Sequence, residues 1–161
     1  MYAGDGDIRI RLADTRDVDH LQTVLDGASD ILDARVYGMS AAELLAANQV
    51  YIGYASEAPI GCVMATFEAP VVIHCLSVVV SHRRNGFAGV LLAAAVAEMD
   101  RRSQPLSYWA AVDPARRSAE MRFSRLGFIR ADTSVGLVDG MQLMFREAQE
   151  PGTKLGTSVS P

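Results

Sequence analysis

The sequence contains little cysteine and few aromatic residues. Only 2 of its 161 residues are cysteine, and 7% are aromatic. Both cysteines, Cys62 and Cys75, lie in apolar segments typical of strands, where a buried free thiol is the common outcome. A disulfide framework or a zinc site needs more cysteine or histidine partners at other spacings. We therefore predict neither a disulfide-stabilised fold nor a metal centre.

The sequence also lacks an excess of positive charge and any long apolar run. Its 15 Lys and Arg residues are outnumbered by 19 Asp and Glu residues, which gives a formal net charge of -4. This balance argues against a nucleic-acid or anionic-membrane partner, although it allows a local basic pocket. No apolar stretch is long enough to span a bilayer, and the polar stretch MYAGDGDIRIRLAD does not have the pattern of a signal peptide. We therefore expect a cytoplasmic protein with no nucleic-acid and no membrane partner.

What is present is the composition of one globular domain. Half of the residues are hydrophobic and 21% are charged, and a chain of this length can bury a single core. Apolar periodicity and turn residues predict the order β-α-α-β-β-β-α-β-α-β-β, which is an α/β domain with a mixed sheet. We assign residues 1–147 to this domain. The polar residues 148–161, rich in Gly, Ser, Thr and Pro, are typical of a disordered tail.

Local signals indicate where several elements begin and end. Ser40 and Glu43 have the spacing of a capping box and predict the start of the second helix. The polar turn SEAP (56–59) separates two strand-like runs and predicts a hairpin. The run VVIHCLSVVV (71–80) is apolar on both faces and predicts a central strand. The next helix is predicted over 89–102.

A short, positively charged loop joins this central strand to the next helix. Residues 81–89 read SHRRNGFAG and contain two arginines and two glycines. The start of a helix leaves backbone N–H groups unpaired, so phosphates bind there, and glycine permits their close approach. The segment contains neither a P-loop motif nor the G-x-G-x-x-G of a dinucleotide fold. Taken alone, the loop is equally compatible with a phosphate site and with an ordinary turn carrying surface arginines.

Two separated segments together resemble one protein family. The stretch VVVSHRRNGFAGVLL resembles the acyl-CoA-binding segment of the GNAT superfamily of N-acetyltransferases. Arg83, Gly86 and Ala88 hold its R/Q-x-x-G-x-G/A positions, and Val80 replaces a frequent proline. Downstream, VDPARRSAEMRFSRLGF resembles the family segment that ends in Leu-Gly-Phe. The resemblance covers about residues 8–147, and the element order read from the residues agrees with it.

The resemblance implies a single-domain GNAT-like fold, in which a mixed, mostly antiparallel central sheet is flanked by helices. It implies acetyl-CoA as co-substrate and no metal. The CoA pyrophosphate is expected on the loop N–H groups, and the pantetheine arm along the edge of the preceding strand. A homodimer is a further expectation. The residues that match the family's cofactor-binding positions are Val78, Val80, Arg83, Arg84, Asn85, Gly86, Phe87, Ala88 and Gly89.

The implied activity is acetyl transfer to a primary amine of a small molecule or of a peptide or protein, by direct attack on the thioester. In the family a tyrosine often gives the departing thiolate a proton, but Phe123 stands at that position here. Three alternatives stay open. The thiolate, whose thiol has a pKa of about 8.5, leaves unassisted; Ser124, Tyr108 or a water donates the proton; or the domain is a catalytically degenerate acyl-CoA-binding sensor or interaction module.

His74 is the candidate for the base that deprotonates the amine. It lies four residues before Val78, which by strand alternation predicts that both side chains share one face. An imidazole pKa of about 6.5 suits a base that acts through water. The alternative is an ordinary buried histidine bonded to a neighbour. Glu43 and Glu68 are weaker candidates, because glutamates at such positions are usually solvated.

Three aromatic residues are candidates for binding the acceptor. Tyr37 belongs to the segment 29–40, which either forms a lid or is a solvated connection. Tyr54 and Trp109 lie in predicted strands, where the alternative is an ordinary core aromatic residue. The sequence leaves the identity of the acceptor amine open.

Overall fold

One sheet of seven strands organises the part of the chain that the computed structural model describes, residues 8–28, 38–68, 70–102, 107–115, 117–131 and 141–147. The predicted tail, 148–161, lies outside the described residues. The strands are β1 (Ile8–Leu12), β2 (Gln49–Ala55), β3 (Ala58–Ala65), β4 (Val71–Val78), β5 (Tyr108–Val112), β6 (Ile129–Arg130) and β7 (Gln142–Arg146). The helices are α1 (Val18–Gly27), α2 (Ala41–Ala47), α3 (Phe87–Arg102) and α4 (Arg117–Arg125), with short 3-10 helices at Thr15–Asp17 and Val80–His82.

The strand order across the sheet is β1-β2-β3-β4-β5-β7-β6. The described strands β4 and β5 pair in parallel, and every other pairing among these strands is antiparallel. The predicted element order and the predicted mixed, mostly antiparallel sheet are therefore confirmed. The apolar strand β4 lies at the centre of the sheet, as its sequence predicts.

The sheet separates two hydrophobic cores. On one face α3 and α4 pack on the strands, with Leu91, Leu92 and Phe123 in the core. On the other face α1 and α2 cover the first half of the sheet, with Leu21 and Leu44 fully buried. None of the described helices is long and apolar enough to cross a membrane.

Capping side chains position the two helices of the second face. Ser40 Oγ accepts a hydrogen bond from Glu43 N at 3.1 Å and caps α2 as predicted. Asp14 accepts from Arg16 N at 2.8 Å, and the Asp17 carboxylate accepts from Asp14 N at 2.9 Å, which starts the 3-10 turn before α1. These bonds satisfy backbone donors that a helix start leaves unpaired.

The turn of the predicted hairpin is shorter than expected. β2 and β3 are joined by Ser56 and Glu57 alone, with φ angles of 46° and 74°. Two consecutive positive φ values match the right-handed twist of the flanking strands, which is why two-residue hairpin loops adopt them.

The predicted bounds around the charged loop also change. β4 ends at Val78 rather than at residue 80, because Val80 starts a 3-10 turn in which Arg83 N donates to Val80 O at 3.3 Å. The helix α3 starts at Phe87 rather than at residue 89. The strand therefore turns sharply before the loop reaches the helix.

β4 contains an irregularity that the sequence pattern does not show. The pairing of β3 with β4 shifts register between Met64 and Ala65, so that Ile73 and Cys75 lie opposite consecutive residues of β3. Ile73 and Leu76 consequently pack into the same core although they are three residues apart. A bulge of this kind breaks the two-residue alternation. The even spacing of His74 and Val78 therefore does not by itself place the two side chains on one face, and their shared face stays a prediction.

Candidate functional site

A cleft of about 500 Å³ opens where β4 and β5 diverge. The two strands pair at Val71–Tyr108, Val72–Trp109 and Ile73–Ala110, and the pairing of described residues stops there, although both strands continue. Neighbouring strands hold β4 and β5 on their outer sides up to their ends, so the gap lies within the sheet. The walls consist of Ile73, His74, Cys75, Leu76, Ser77, Val78, His82, Arg83, Arg84, Gly86, Phe87, Ala88, Ala111, Val112, Asp113, Ser118, Ala119, Arg122, Phe123 and Met141.

The edge of β4 presents backbone hydrogen-bonding groups to this cleft. Val79 N donates to Ile60 O on β3 at 2.8 Å, and backbone groups alternate in direction along a strand. The N–H and C=O groups of Leu76 and Val78 therefore point away from β3, toward the cleft. A hydrogen bond from Arg83 supports this direction, because Arg83 Nε donates to Val78 O at 2.9 Å. An extended ligand with amide groups can pair with such an edge as an added strand does.

The charged loop (81–89) forms the end of the cleft that lies next to the last residues of β4. Arg84 and Gly86 have φ angles of 66° and 78°, and Val90 N donates to Gly86 O at 3.2 Å as the first bond of α3. The N–H groups of residues 87–89 precede that bond at the positive end of the helix dipole, where a helix start leaves backbone N–H groups without intrahelical partners. Arg122 of α4 joins the two loop arginines on the cleft walls. This end of the cleft has the chemistry to hold a phosphate or another anion.

The predicted cofactor-binding residues divide into two groups. Six of them line the cleft: Val78, Arg83, Arg84, Gly86, Phe87 and Ala88. Val80, Asn85 and Gly89 do not lie on the walls, and the side chain of Val80 is exposed. Val80 lies off the cleft walls because β4 ends early and the 3-10 turn directs this residue outward.

His74 lies on the cleft wall beside the bulge of β4. Its Nε2 is 2.7 Å from Oδ1 of Asn48, the residue that ends α2. The structure thus combines the two interpretations of the sequence, because the histidine is hydrogen-bonded to a neighbour and also borders the cleft. The alternatives Glu43 and Glu68 are exposed and lie away from the walls.

Phe123 borders the cleft and is also part of the core. It is 4% exposed, and its ring lies 5.1 Å from that of Phe128 in an edge-to-face arrangement. Ser124, the predicted acid, is exposed and does not line the cleft, because adjacent helical residues point about 100° apart. Tyr108 is buried below the cleft, and burial together with the nearby Asp100 carboxylate raises its pKa. The geometry therefore places neither hydroxyl on the walls of the cleft.

The predicted acceptor-binding aromatic residues do not meet at this site. Tyr54 is buried in the core beneath α1, where its hydroxyl accepts from Arg11 Nη2 at 3.0 Å. Trp109 packs against Phe145 with ring centroids 4.9 Å apart and does not line the cleft. The alternative of an ordinary core aromatic residue describes Tyr54, whereas Trp109 is only partly buried. Tyr37 lies outside the described residues.

The sequence interpretation missed several residues that line the cleft or contact its wall. Arg122 lies one residue before Phe123, and with Ser118 and Ala119 it forms one helical face, so helical spacing around Phe123 predicts it in retrospect. Asn48 is 26 residues from His74, and no local pattern joins them.

The two cysteines are thiols that form no disulfide, and they differ in their surroundings. Cys62 is fully buried, and a hydrogen bond with Cys75 and burial raise the pKa of its thiol. Cys75 is only partly buried and lies on the cleft wall, so the expected buried thiol is found only at Cys62. Among the described residues, no group of three or more His, Cys, Asp or Glu side chains is arranged to hold a metal ion.

Comparisons with known proteins give one family and one fold. Residues 18–128 match the sequence model of the acetyltransferase (GNAT) family. No curated protein matches the chain in sequence.

Solved structures share the fold at low sequence identity. The PaiA N-acetyltransferase from Thermoplasma acidophilum in complex with coenzyme A has a TM-score of 0.68 at 15% identity, over 88% of this chain and 99% of that chain. Naa50 from Arabidopsis thaliana, in complex with the bisubstrate analogue CoA-Ac-MVNAL, has a TM-score of 0.63 at 14% identity, over 87% and 98%. The diaminobutyrate acetyltransferase EctA from Paenibacillus lautus, in complex with L-2,4-diaminobutyric acid and coenzyme A, has a TM-score of 0.60 at 14% identity, over 89% and 96%.

Proposed function

The chain belongs to the acetyltransferase (GNAT) family, and from this premise we propose that it transfers the acetyl group of acetyl-CoA to a primary amine of a small molecule or of a peptide or protein. The observation that carries the proposal is the cleft between β4 and β5. It joins a free strand edge to a basic helix start, which is the combination that an amide-containing arm with a diphosphate at its end requires.

In this proposal the pyrophosphate of acetyl-CoA binds the N–H groups of residues 87–89 and the side chain of Arg84. The pantetheine arm runs along β4 and pairs with the edge groups of Leu76 and Val78. With a rise of about 3.3 Å per residue, the strand then leads the thioester toward His74. Structures of proteins with this fold that contain coenzyme A support an acyl-CoA ligand.

The chemistry assigned to the site is a direct displacement. The neutral amine attacks the thioester carbonyl carbon, a C–N bond forms, the C–S bond breaks and the CoA thiolate leaves. His74, directly or through a water, takes the proton that the amine releases. Phe123 has no proton to give, and Ser124 is exposed outside the cleft, so we propose that the thiolate leaves without a proton donor from α4. Positioning of the two reactants then supplies much of the rate.

The acceptor is narrowed only to the class of primary amines. Proteins with the same fold have been crystallised with a peptide-like bisubstrate analogue and with a diamino acid, so both a peptide and a small-molecule acceptor are consistent with the fold. In this proposal the arginines at the loop end of the cleft bind CoA and not the acceptor.

A second candidate is a catalytically degenerate acyl-CoA-binding sensor or interaction module. Phe123 favours it, because its ring is packed in the core at the place where a proton donor is expected. This candidate predicts acetyl-CoA binding without turnover.

The test is the release of CoA from acetyl-CoA in the presence of a panel of primary amines. The panel contains diamines, amino acids and peptides with free N-termini, and each reaction is compared with thioester hydrolysis without an amine. We expect at least one amine to raise CoA release at least tenfold and to yield its N-acetylated product by mass spectrometry. Binding of acetyl-CoA with no response to any amine would instead select the binding module.

A further inference from the structure

The amide of Asn48 has one orientation that its surroundings permit. Asn48 ends α2, and its backbone N and its Nδ2 lie 3.0 Å and 3.2 Å from the carbonyl oxygen of Leu44. A carbonyl oxygen only accepts hydrogen bonds, so the NH₂ group of the amide has to face Leu44. The oxygen Oδ1 therefore points in the other direction.

That oxygen faces His74 Nε2 at 2.7 Å. An amide oxygen has no hydrogen to donate, so Nε2 has to be the donor in this bond. A neutral imidazole carries one N–H, which means that the neutral ring has its proton on Nε2 and its basic lone pair on Nδ1. Proton uptake by this ring then takes place at Nδ1.

The two residues have different relations to the cleft. His74 lies on its wall and Asn48 does not, so Asn48 can act on the reaction only through the histidine. The other titratable or charged groups on the walls are Cys75, His82, Arg83, Arg84, Asp113 and Arg122, and Cys62 lies behind Cys75 on β3.

The geometry points to Asn48 as a positioning residue that holds His74 in the Nε2–H tautomer and so makes Nδ1 the atom that receives the proton of the acceptor amine. This inference rests on the proposed function for the proton transfer. The tautomer itself is a property of the protein alone, so it can be tested without turnover.

The first experiment measures the imidazole ¹⁵N signals of the full chain by NMR as a function of pH, with His74→Gln used to assign the His74 signals among the 3 histidines. We expect the Nε2–H tautomer in the neutral ring. Asn48→Asp keeps an accepting oxygen and adds a negative charge beside the ring, which favours the imidazolium and raises the His74 midpoint by about one pH unit. Asn85→Asp makes the same chemical change in the exposed loop and is expected to leave the midpoint in place. An Nδ1–H tautomer, or an equal response to both substitutions, would overturn the inference.

The second experiment measures the pH dependence of kcat with the best amine. The base acts when it is neutral, so its acid limb should move to higher pH in Asn48→Asp by the same amount as the NMR midpoint, while KM for acetyl-CoA stays within about twofold. Asn48→Leu should lower kcat at least tenfold, and it should have no further effect in a His74→Gln background. Thermal midpoints identify any variant that fails to fold.

The outcomes separate the two proposals. Normal kcat in His74→Gln or Asn48→Leu, with turnover intact in the wild type, would overturn the inference and leave the acetyltransferase in place. Absence of turnover with every amine would overturn the proposed function, while the NMR arm would still decide the tautomer and the role of Asn48 in setting it.

Discussion

Phe123 shows how one side chain shapes the chemistry of the cleft. Its ring borders the cleft and packs on Phe128, and a phenyl ring has no proton to donate. A thiol with a pKa of about 8.5 is a tolerable leaving group near neutral pH. In the proposed reaction the thiolate therefore leaves unassisted, and a positioned acid would make this step faster.

We predict that Phe123→Tyr raises kcat about tenfold, because it adds an acid at the leaving group, and a positioned acid contributes at least this much in many enzymes. Phe123→Leu changes the packing without adding a donor and serves as the matched control, for which no gain is expected. Steady-state kinetics with the best amine checks both. Equal kcat in Phe123→Tyr and the wild type would show that protonation of the thiolate does not limit the rate.

A second residue-scale feature is a buried arginine at the far end of β7. Arg146 is 3% exposed, and its Nη1 donates to Asp100 Oδ2 at 3.1 Å. Among the residues that the structure describes, its Nε has no hydrogen-bond partner. The pair with Asp100 is therefore the main compensation for a buried charge.

We predict that Asp100→Asn lowers the free energy of unfolding by about 2–3 kcal/mol, because removal of one partner leaves the other charge buried and uncompensated. Glu98→Gln on the same helix disrupts ion pairs with the exposed Arg101 and Arg102 and is expected to cost much less. Urea unfolding at neutral pH measures both variants. Similar losses in the two variants would show that the buried Arg146–Asp100 pair contributes no more to stability than the ion pairs of Glu98.

At the scale of elements, the junction of β1 and α1 is held by a carboxylate. Arg11 on β1 donates to both oxygens of Asp17 at 2.8 Å and 2.6 Å, and Asp17 also accepts from Asp14 N. The hydrogen bond from Arg11 lowers the pKa of Asp17. The stabilisation is thus present above the unfolded-state pKa of about 3.9 and is lost as the pH falls through the lower folded-state pKa.

We predict that Arg11→Met costs about 1 kcal/mol at pH 7, a modest value because the arginine is half exposed. The loss should shrink as the pH falls below about 4, because Asp17 then becomes protonated in the wild type as well. Arg16→Met, which affects the exposed partner of Asp14, is the control and should cost less. Unfolding free energies at pH 7 and pH 3 decide, and an unchanged difference between wild type and Arg11→Met would contradict this account.

The elements also show where sequence reasoning succeeds. Ser40 and Glu43 predict the start of α2 because a cap acts within one turn. The face of His74 could not be predicted, because the bulge in β4 arises from its pairing with β3 and leaves no mark in the local pattern. The partnership of His74 with Asn48 likewise depends on how α2 meets the sheet.

At the scale of the whole molecule, periodicity and turn residues predicted the order of the elements, and this order agrees with the observed sheet. The residues of the candidate site could be predicted only in part. The loop and the strand edge follow from a contiguous segment, and six of the nine predicted cofactor residues line the cleft. Tyr54 and Trp109 could not be placed by sequence spacing alone, because their contacts join distant segments of the chain.

Acetyl-CoA is proposed to bind in the cleft between β4 and β5, and calorimetric titration of the protein with acetyl-CoA tests this binding most directly. Gly86 has a φ of 78° at the mouth of the cleft, so Gly86→Val should strain the loop and place bulk against the phosphates. Gly38→Val is the matched control, because a Cβ at that position meets no atom of the described residues within 4 Å. We predict binding by the wild type and by Gly38→Val and at least a thirtyfold loss of affinity in Gly86→Val. Equal affinity in all three proteins, or no binding by the folded wild type, would contradict the account.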